Sequence, residues 1–534
     1  MSEVVNPKET CMPSTDISVV VKRHAEAQPA RTALISGQRR TSYAELDRRV
    51  DQVANGLMEA GLRRQDHIAI LDLNSDHFYE IWLGSARAGV VCVALNARIA
   101  AAEVASVLRD CRPRVLFVGA AYAEMIEALR STLDFVEKIV VTGAAFEQWR
   151  DAQSATPHGT QADGEDVCLQ LYTSGTTGVP KGVQLTNDNV RAAFEPSDRT
   201  MPSPWTSLRS TDVVLQVLPH GHVAGSGFGL AGLHNGATLV IAREFNPPEL
   251  IAVIERESVT TVVMVPVMID ALMGALAARP DGGDACRSLD HIIYGAAPMA
   301  TATLLRALKL FPAAGFGQLY GLTETSGPIT YLSPADHRAI AAGDERLALS
   351  CGRRMPDVEV RVVDGDGNEV FPGQVGEIVC RARQVMKGYW DRDADNAAVL
   401  RGGWFHTGDI GSVDENGYFQ LHDRKRDMII TGGENVYPAE VENALHGHPD
   451  VAEAAVFGVP DGKWGEAVRA AVVLKPGASA SEADLVAYLK ARLAGFKVPK
   501  TIDFAESLPR NATGKILRRI LREPFWKDEA RHVA

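Results

Sequence analysis

Between Ser42 and about residue 310, short apolar runs alternate with stretches whose apolar residues recur at helical spacing, and this alternation constrains the fold more than any other feature. Ser42 with Glu45 reads as a capping box opening a helix, with Leu46, Val50, Val53 and Leu57 on one face and Gly61 at its end. Strand-like runs follow at His67 to Leu73, Val90 to Leu95, Val115 to Val118 and Lys138 to Thr142, with helical stretches at Phe78 to Ala88 and Ala101 to Arg109. The order resumes with strands at Val213 to Leu218, Thr238 to Ala242, Val259 to Val265 and His291 to Tyr294. Helices are expected near Pro248 to Glu257, Val267 to Ala277 and Ala300 to Leu310, while Pro219 to Gly229 reads as a glycine-rich loop at a strand end. Alternation of this kind predicts a layered α/β domain with a largely parallel sheet.

From about Asp357 the texture changes to short strands and tight turns. Asp364-Gly365-Asp366-Gly367 and Asp414-Glu415-Asn416-Gly417 predict hairpins of an antiparallel sheet. Asp364, Asp366 and Asn368 do not make a calcium loop, because Glu369 stands where that loop needs glycine. Beyond the charged cluster Asp423 to Asp427 comes a small α+β unit, with helices near Pro438 to Leu445 and Ser481 to Leu493 and strands at Ala452 to Val459 and Val468 to Leu474. A chain of 534 residues exceeds one ordinary core. The expected fold class is α/β: a large N-terminal domain of layered sheets with a small β-rich subdomain, residues 1–424, then a small α+β C-terminal domain, residues 425–534.

The balance of 55 Lys and Arg against 67 Asp and Glu gives a net charge of −12, which disfavours nucleic acid or an anionic membrane surface as partner. No apolar run approaches membrane-spanning length, and the first twenty residues lack a basic segment followed by an apolar core. The cysteines are scattered without short pairs, which fits neither a zinc site nor a disulfide framework; reduced thiols in a cytoplasmic protein are expected.

The stretch Tyr172 to Gly182, YTSGTTGVPKG, is built to touch phosphate. Glycine lets main-chain N–H groups approach an anion, Ser174, Thr176 and Thr177 add short donors, and Lys181 adds a mobile charge. It is not a Walker A loop, having no glycine five residues before a Gly-Lys-Ser/Thr ending, and it runs into the strand-like Val183 to Thr186. Gly315, Gly317 and Gly321 miss the spacing of a dinucleotide fingerprint, and no strand, turn and helix unit frames them.

YTSGTTGVPKG, YGLTE at Tyr320 to Glu324, HTGD at His406 to Asp409, DRKRDMIITGGENVYPAEVE at Asp423 to Glu442 and PRNATGKILRR at Pro509 to Arg519 occur in that order. Over nearly its whole length the chain thereby resembles the adenylate-forming superfamily of acyl-CoA synthetases, luciferase and peptide-synthetase adenylation domains. GGENVYP looks most like the fatty- and aryl-acyl-CoA synthetase branch. The resemblance implies two half-reactions: a carboxylate attacks the α-phosphate of ATP to give acyl-AMP and pyrophosphate, then CoA takes the acyl group and AMP leaves.

It further implies that Thr173, Ser174, Gly175, Thr176, Thr177 and Lys181 hold the β- and γ-phosphates, and that Gly295, Ala296, Ala297 and the Tyr320 ring receive adenine. Thr323 would touch the α-phosphate, Glu324 would hold Mg²⁺, Asp409 would accept the ribose hydroxyls with Arg424 in support, and Lys515 would serve adenylation. The C-terminal domain would be mobile about a hinge at Arg426. CoA would meet Gly432, Gly433, Phe496, Lys500 and Arg98. The acyl pocket would include Gly221, His222, Gly225 and Gly227, with His222 beside the carboxylate. The family usually carries a bulky residue where Gly221 stands, and Gly221, Ala224, Gly225, Gly227 and Gly229 remove side-chain volume. A roomy, mainly apolar pocket for a medium or long acyl chain or a bulky ring-bearing acid is therefore expected.

The partners implied are a small carboxylic acid, ATP and CoA; the oligomeric state stays open, a homodimer included. Two other readings stand beside the acyl-CoA synthetase: a ligase that loads a carrier protein, and a non-catalytic adenylate-binding protein. The second of these would be expected to lack Lys515 or Glu324, and both are present.

Overall fold

A computed structural model of the chain describes residues 16–157, 162–173, 180–197, 203–205, 207–280, 282–297, 299–424, 427–510 and 516–526. Two large sheets form its main body. The seven-stranded sheet runs in the order Gly388–Tyr389, Lys181–Thr186, Val167–Thr173, Val91–Ala94, His67–Leu71, Val115–Val118, Lys138–Val141. Its last five strands are mutually parallel, whereas Lys181–Thr186 turns back antiparallel on Val167–Thr173. The parallel strands are apolar on both faces because helices cover both, as the uninterrupted runs in the sequence require.

The nine-stranded sheet runs Arg353–Arg354, Gly327–Leu332, Gly315–Leu322, His291–Gly295, Thr261–Met264, Val213–Gln216, Thr238–Ile241, Thr32–Ser36, Arg39–Ser42. Its centre is parallel, and its edges are antiparallel hairpins. One continuous apolar cluster joins the two sheets and reaches from Ile17 to Phe419. The expected helix after Ser42 spans Tyr43–Glu59, with the Ser42 hydroxyl accepting the Glu45 N–H.

Residues 359–424 form the antiparallel β-rich subdomain, in which Gly376–Arg381 and Phe419–Arg424 both pair with Trp404–Val413. Both acidic turns are present: Asp364 Oδ1 accepts the N–H groups of Asp366 and Asn368, and Asp414 Oδ1 those of Asn416 and Tyr418. Beyond them, Glu434–Val436, Ile429–Thr431, Gly465–Leu474, Val451–Asp461 and Thr501–Phe504 make a further sheet. It packs its own cluster, Ile429 to Ile502, under the helices Pro438–His446 and Glu482–Lys490. Ser481 caps the second of these with Asp484 in a capping box.

One local expectation is overturned. Pro219 to Gly229 is no loop throughout: Val223–His234 is a buried helix containing Gly225, Gly227, Gly229 and Gly232. Helix formation at such a composition is driven by close packing, since each interior glycine costs about 1 kcal/mol relative to alanine. Gly315, Gly317 and Gly321 lie on the strand Gly315–Leu322, which returns antiparallel as Gly327–Leu332 and so makes no strand, turn and helix unit. A Cβ at Gly317 would lie 2.8 Å from the Tyr331 ring and one at Gly321 2.1 Å from the Gly327 carbonyl, so cross-strand crowding explains those glycines.

Candidate active site

The antiparallel pair Val167–Thr173 and Lys181–Thr186 sets Thr173 opposite Lys181 at the mouth of the glycine-rich turn. Ser174, Gly175, Thr176 and Thr177 lie outside the described residues. Lys181 Nζ meets Asp395 Oδ1 at 2.6 Å and lies 5.2 Å from the centre of the Tyr389 ring. The Tyr389 hydroxyl donates to Glu324 Oε1 at 2.9 Å in a buried contact. One aromatic ring thus stands between the cation of the first motif and the carboxylate of the second.

Glu324 belongs to the short turn Thr323–Thr325 that follows Gly315–Leu322. Thr325 Oγ1 accepts the Leu322 N–H at 3.0 Å, the Gln384 amide donates to the Thr325 carbonyl at 2.9 Å, and the Met386 N–H donates to the Glu324 carbonyl at 2.8 Å. These bonds hold Thr323 and Glu324 at the end of a strand whose next inward residue is Tyr320.

The Tyr320 hydroxyl donates to Asp409 Oδ2 at 2.9 Å, and both side chains are buried. Burial, with Asp409 beside it, pushes the Tyr320 phenol well above its ordinary range, so it stays a donor. Asp409 sits on Trp404–Val413, where Gly408 at φ +70° turns the chain and the Asp409 N–H donates to Thr407 Oγ1 at 3.1 Å. Arg424 is the register partner of Asp409 on the neighbouring strand. Its side chain, Arg426 and Lys515 lie outside the described residues.

Gly295 ends the strand His291–Gly295, where a Cβ would fall 2.4 Å from the Leu319 carbonyl. Ala296 follows at φ +64°, a conformation strained for alanine, and is exposed beside the partly exposed Ala297. Strain of about 1–3 kcal/mol persists only where surroundings impose it, and it collects at ligand clamps.

Next to the residues expected to line the acyl pocket, Asn74 fixes the turn before the helix Val223–His234: its amide donates to the Leu218 and Ala242 carbonyls, each at 3.1 Å, and its Oδ1 accepts the His220 N–H at 3.0 Å. His222 is the N-cap residue, and its Nε2 is buried with no hydrogen-bond partner. Burial, then the Arg98 charge, lowers the His222 imidazole to about 4, so it is neutral at physiological pH. His220, two residues earlier, is buried in the core and stacks on Phe78 at 4.3 Å.

The volume argument for the pocket glycines needs correction. A Cβ at Gly221 would lie 2.6 Å from the Leu95 carbonyl, at Gly225 2.1 Å from the Pro219 carbonyl and at Gly229 1.7 Å from the Tyr79 hydroxyl. Backbone and a phenol already fill those places. Only Gly227 of the four has room, with its nearest neighbours at 3.9 Å on Ser326 and Val223.

In the C-terminal unit, Gly432 and Gly433 at φ +61° and +85° are the two central residues of a tight hairpin between Thr431 and Glu434. Positive φ at both positions is what a type I′ hairpin demands. Trp464, missed in the sequence, accepts the Gly432 N–H on its carbonyl at 2.8 Å and lays its ring where a Gly432 Cβ would stand, 2.8 Å from Cε3. Lys463 and Lys500 flank that half-exposed ring at 4.4 and 5.3 Å. Lys500 also pairs with Asp461 at 3.1 Å, and Phe496 is exposed nearby in sequence. A tryptophan within the turn Asp461 to Gly465 was the available signal. Arg98 belongs to the large body, 4.0 Å from Glu244.

Among the described residues no group of three or more His, Cys, Asp or Glu could hold a metal unaided, and no helix is long and apolar enough to cross a membrane.

Residues 21–390 match the AMP-binding enzyme family, and residues 440–515 match the AMP-binding enzyme C-terminal domain. A fatty acid–[acyl-carrier-protein] ligase, ScoC, of Streptomyces coeruleorubidus is 38% identical over 516 residues, 96% of each chain. A feruloyl-CoA synthase of Amycolatopsis is 38% identical over 510 residues, 94% of this chain and 98% of that one. The structure of an anthranilate CoA ligase, AuaEII, in complex with anthranoyl-AMP superposes with a TM-score of 0.85 at 27% identity, covering 96% of this chain and 97% of that one. With both family regions matched and relatives this similar spanning nearly its whole length, the chain belongs to the AMP-binding enzyme family and is an adenylate-forming acid–thiol ligase.

Proposed function

We propose that this ligase joins a medium or long acyl chain, or a bulky ring-bearing acid, to free CoA. An acid oxygen attacks the α-phosphorus of ATP, the bond to the β-phosphate breaks and pyrophosphate leaves. The CoA sulfur then attacks the acyl carbon, the carbon–oxygen bond to AMP breaks, and the thiol proton is lost. The observation that supports this most is the buried Tyr320–Asp409 hydrogen bond, which holds together the ring that would receive adenine and the carboxylate that would accept the ribose hydroxyls.

Thr173 to Thr177 with Lys181 would cradle the outer phosphates, Gly295 to Ala297 would border the base, and Thr323 would reach the α-phosphate. Arg424 would support Asp409 from the facing strand position. Lys515, arriving on the C-terminal domain, would neutralise charge between acid and α-phosphate as the transition state forms. The domain boundary falls between 424 and 425 in this reading, with Arg426 as hinge, which accords with the separate apolar clusters ending at Phe419 and starting at Ile429.

Glu324 fits Mg²⁺ as a lone buried carboxylate held by Tyr389, since this ion is commonly bound through one or two carboxylates plus substrate phosphates. When bound, it would neutralise phosphate charge. Trp464 and Phe496 offer aromatic faces to the CoA adenine, with Lys500 and Arg98 for its phosphates and the Gly432–Gly433 turn against the pantetheine. His222, neutral, would meet the acid carboxylate. Gly227 leaves space for the acyl group, and a feruloyl-CoA synthase among the relatives supports a ring-bearing acid.

The test is purified protein with ATP, Mg²⁺ and CoA on acids graded by length and ring content, with AMP and thioester both measured. The expected result is stoichiometric AMP and acyl-CoA, with kcat/KM highest for long or ring-bearing acids. Acetate or propionate as best substrate would overturn the acyl assignment. AMP without thioester would favour loading of a carrier protein, the reaction named for ScoC.

A further inference from the structure

Lys181 has a second anion already in place. Its side chain is 14% exposed, and its ammonium contacts the Asp395 carboxylate at 2.6 Å, a charge-assisted bond at the short end of the range. Asp395 lies on Asp393–Val399, and this short helix is tied to the ring beneath the lysine through the neighbouring residue. Asn396 Oδ1 accepts the Tyr389 N–H at 2.7 Å, and Asn396 Nδ2 donates to the Tyr389 carbonyl at 3.0 Å. Asp395, Lys181, Tyr389 and Glu324 therefore form one chain of contacts whose geometry is fixed from both ends.

An ammonium has three N–H donors, and one is engaged by Asp395. A polyphosphate approaching Lys181 would meet a partly neutralised cation and, just behind it, a fixed negative charge. We propose that Asp395 is a positioning residue that competes with the outer phosphates for Lys181 and so loosens the hold on them, easing departure of pyrophosphate after the first half-reaction. The inference rests on reading Lys181 as the phosphate-binding lysine. By engaging one of the lysine's donors and part of its charge, the carboxylate weakens ligands whose β- and γ-phosphates reach Lys181 and leaves AMP, which lacks them, unaffected.

The experiment compares wild type with Asp395→Asn, which keeps the shape and removes the charge. Inorganic pyrophosphate with Mg²⁺, and AMP, are each titrated calorimetrically, and product inhibition by pyrophosphate is measured during AMP formation. Asp395→Asn should bind pyrophosphate about five-fold tighter, with a matching fall in the inhibition constant and unchanged AMP affinity. In a Lys181→Ala background the same substitution should do nothing to pyrophosphate binding, and Asp395→Glu, which restores a carboxylate, should return towards wild type. Weaker or unaltered pyrophosphate binding in a folded Asp395→Asn would overturn the proposal, as would equal shifts for pyrophosphate and AMP. Should Asp395→Asn not fold, Asp395→Ala and the Glu variant carry the same comparison. If Lys181→Ala alone leaves pyrophosphate binding intact, the reading of Lys181 itself falls.

Discussion

Two tyrosine hydroxyls fix the two carboxylates on which the proposed nucleotide site depends, and hydrogen bonds to charged groups contribute about 1.5–3 kcal/mol each. Tyr389→Phe keeps the ring under Lys181 and removes the donor to Glu324. We expect the Mg²⁺ concentration for half-maximal AMP formation to rise and kcat/KM for ATP to fall roughly ten-fold, with the melting temperature little changed. An unaltered Mg²⁺ profile would contradict the role given to this bond. His220 allows a second residue-level prediction. Burial alone, among Phe78 and Tyr79, lowers its imidazole from 6.5 to about 3, so between those values the unfolded chain binds the proton and the folded one does not. The associated stability is complete above pH 6.5 and is lost as pH falls towards 3. At pH 5 this amounts to about 2 kcal/mol. His220→Leu should shrink the stability difference between pH 7 and pH 5 by about that amount in denaturant titrations, leaving the similar contributions of His222 and His337. In the sequence only the family resemblance tells His222 from His220, because both follow a strand and packing decides which imidazole enters the core.

At the level of elements, the helix Val223–His234 is where local propensity and tertiary packing conflict. Its glycines read as loop residues, yet three of the positions singled out for the pocket are small because another atom occupies the place of a Cβ. Gly229→Ala would drive a methyl group into the Tyr79 hydroxyl and should cost about 1–3 kcal/mol by chemical denaturation. Gly227→Ala, with nothing nearer than 3.9 Å, should be neutral or stabilising by up to about 1 kcal/mol and should lower kcat/KM for ring-bearing acids more than for straight-chain ones. A helix as sensitive at Gly227 as at Gly229 would refute this distinction. Turn chemistry and capping, by contrast, were legible: Ser42, Ser481, Asp364 and Asp414 each make the local bonds their residue types predict. Such bonds span a few residues and need no distant partner.

At the level of the whole molecule, Arg518 ties three parts of the chain together. Its guanidinium grips Glu442 through two bonds at 2.9 and 2.6 Å and reaches Asp423 at 3.2 Å, joining the segment that follows Lys515 to the helix Pro438–His446 and to the last strand of the β-rich subdomain. Arg518→Met would leave two part-buried carboxylates without their cation and should cost about 3 kcal/mol in stability. It should also impair acyl-AMP formation more than thioester formation from supplied acyl-AMP, as single-turnover measurements of each half-reaction would show. The reverse order would argue against a role of this clamp in placing Lys515. By itself, the sequence determined the α/β class, the antiparallel character after residue 357, the local caps and turns, and, through five ordered motifs, the family and its chemistry. Each of these rests on short-range periodicity, turn geometry or residue identity at fixed spacing. Only the tertiary structure decided that Lys181 shares Asp395, that Tyr389 separates it from Glu324, that Tyr320 anchors Asp409, and which pocket glycines leave space. The three side-chain contacts join residues from 65 to 214 positions apart, and whether a small side chain makes a cavity or admits a neighbour is set by the atoms that fold against it.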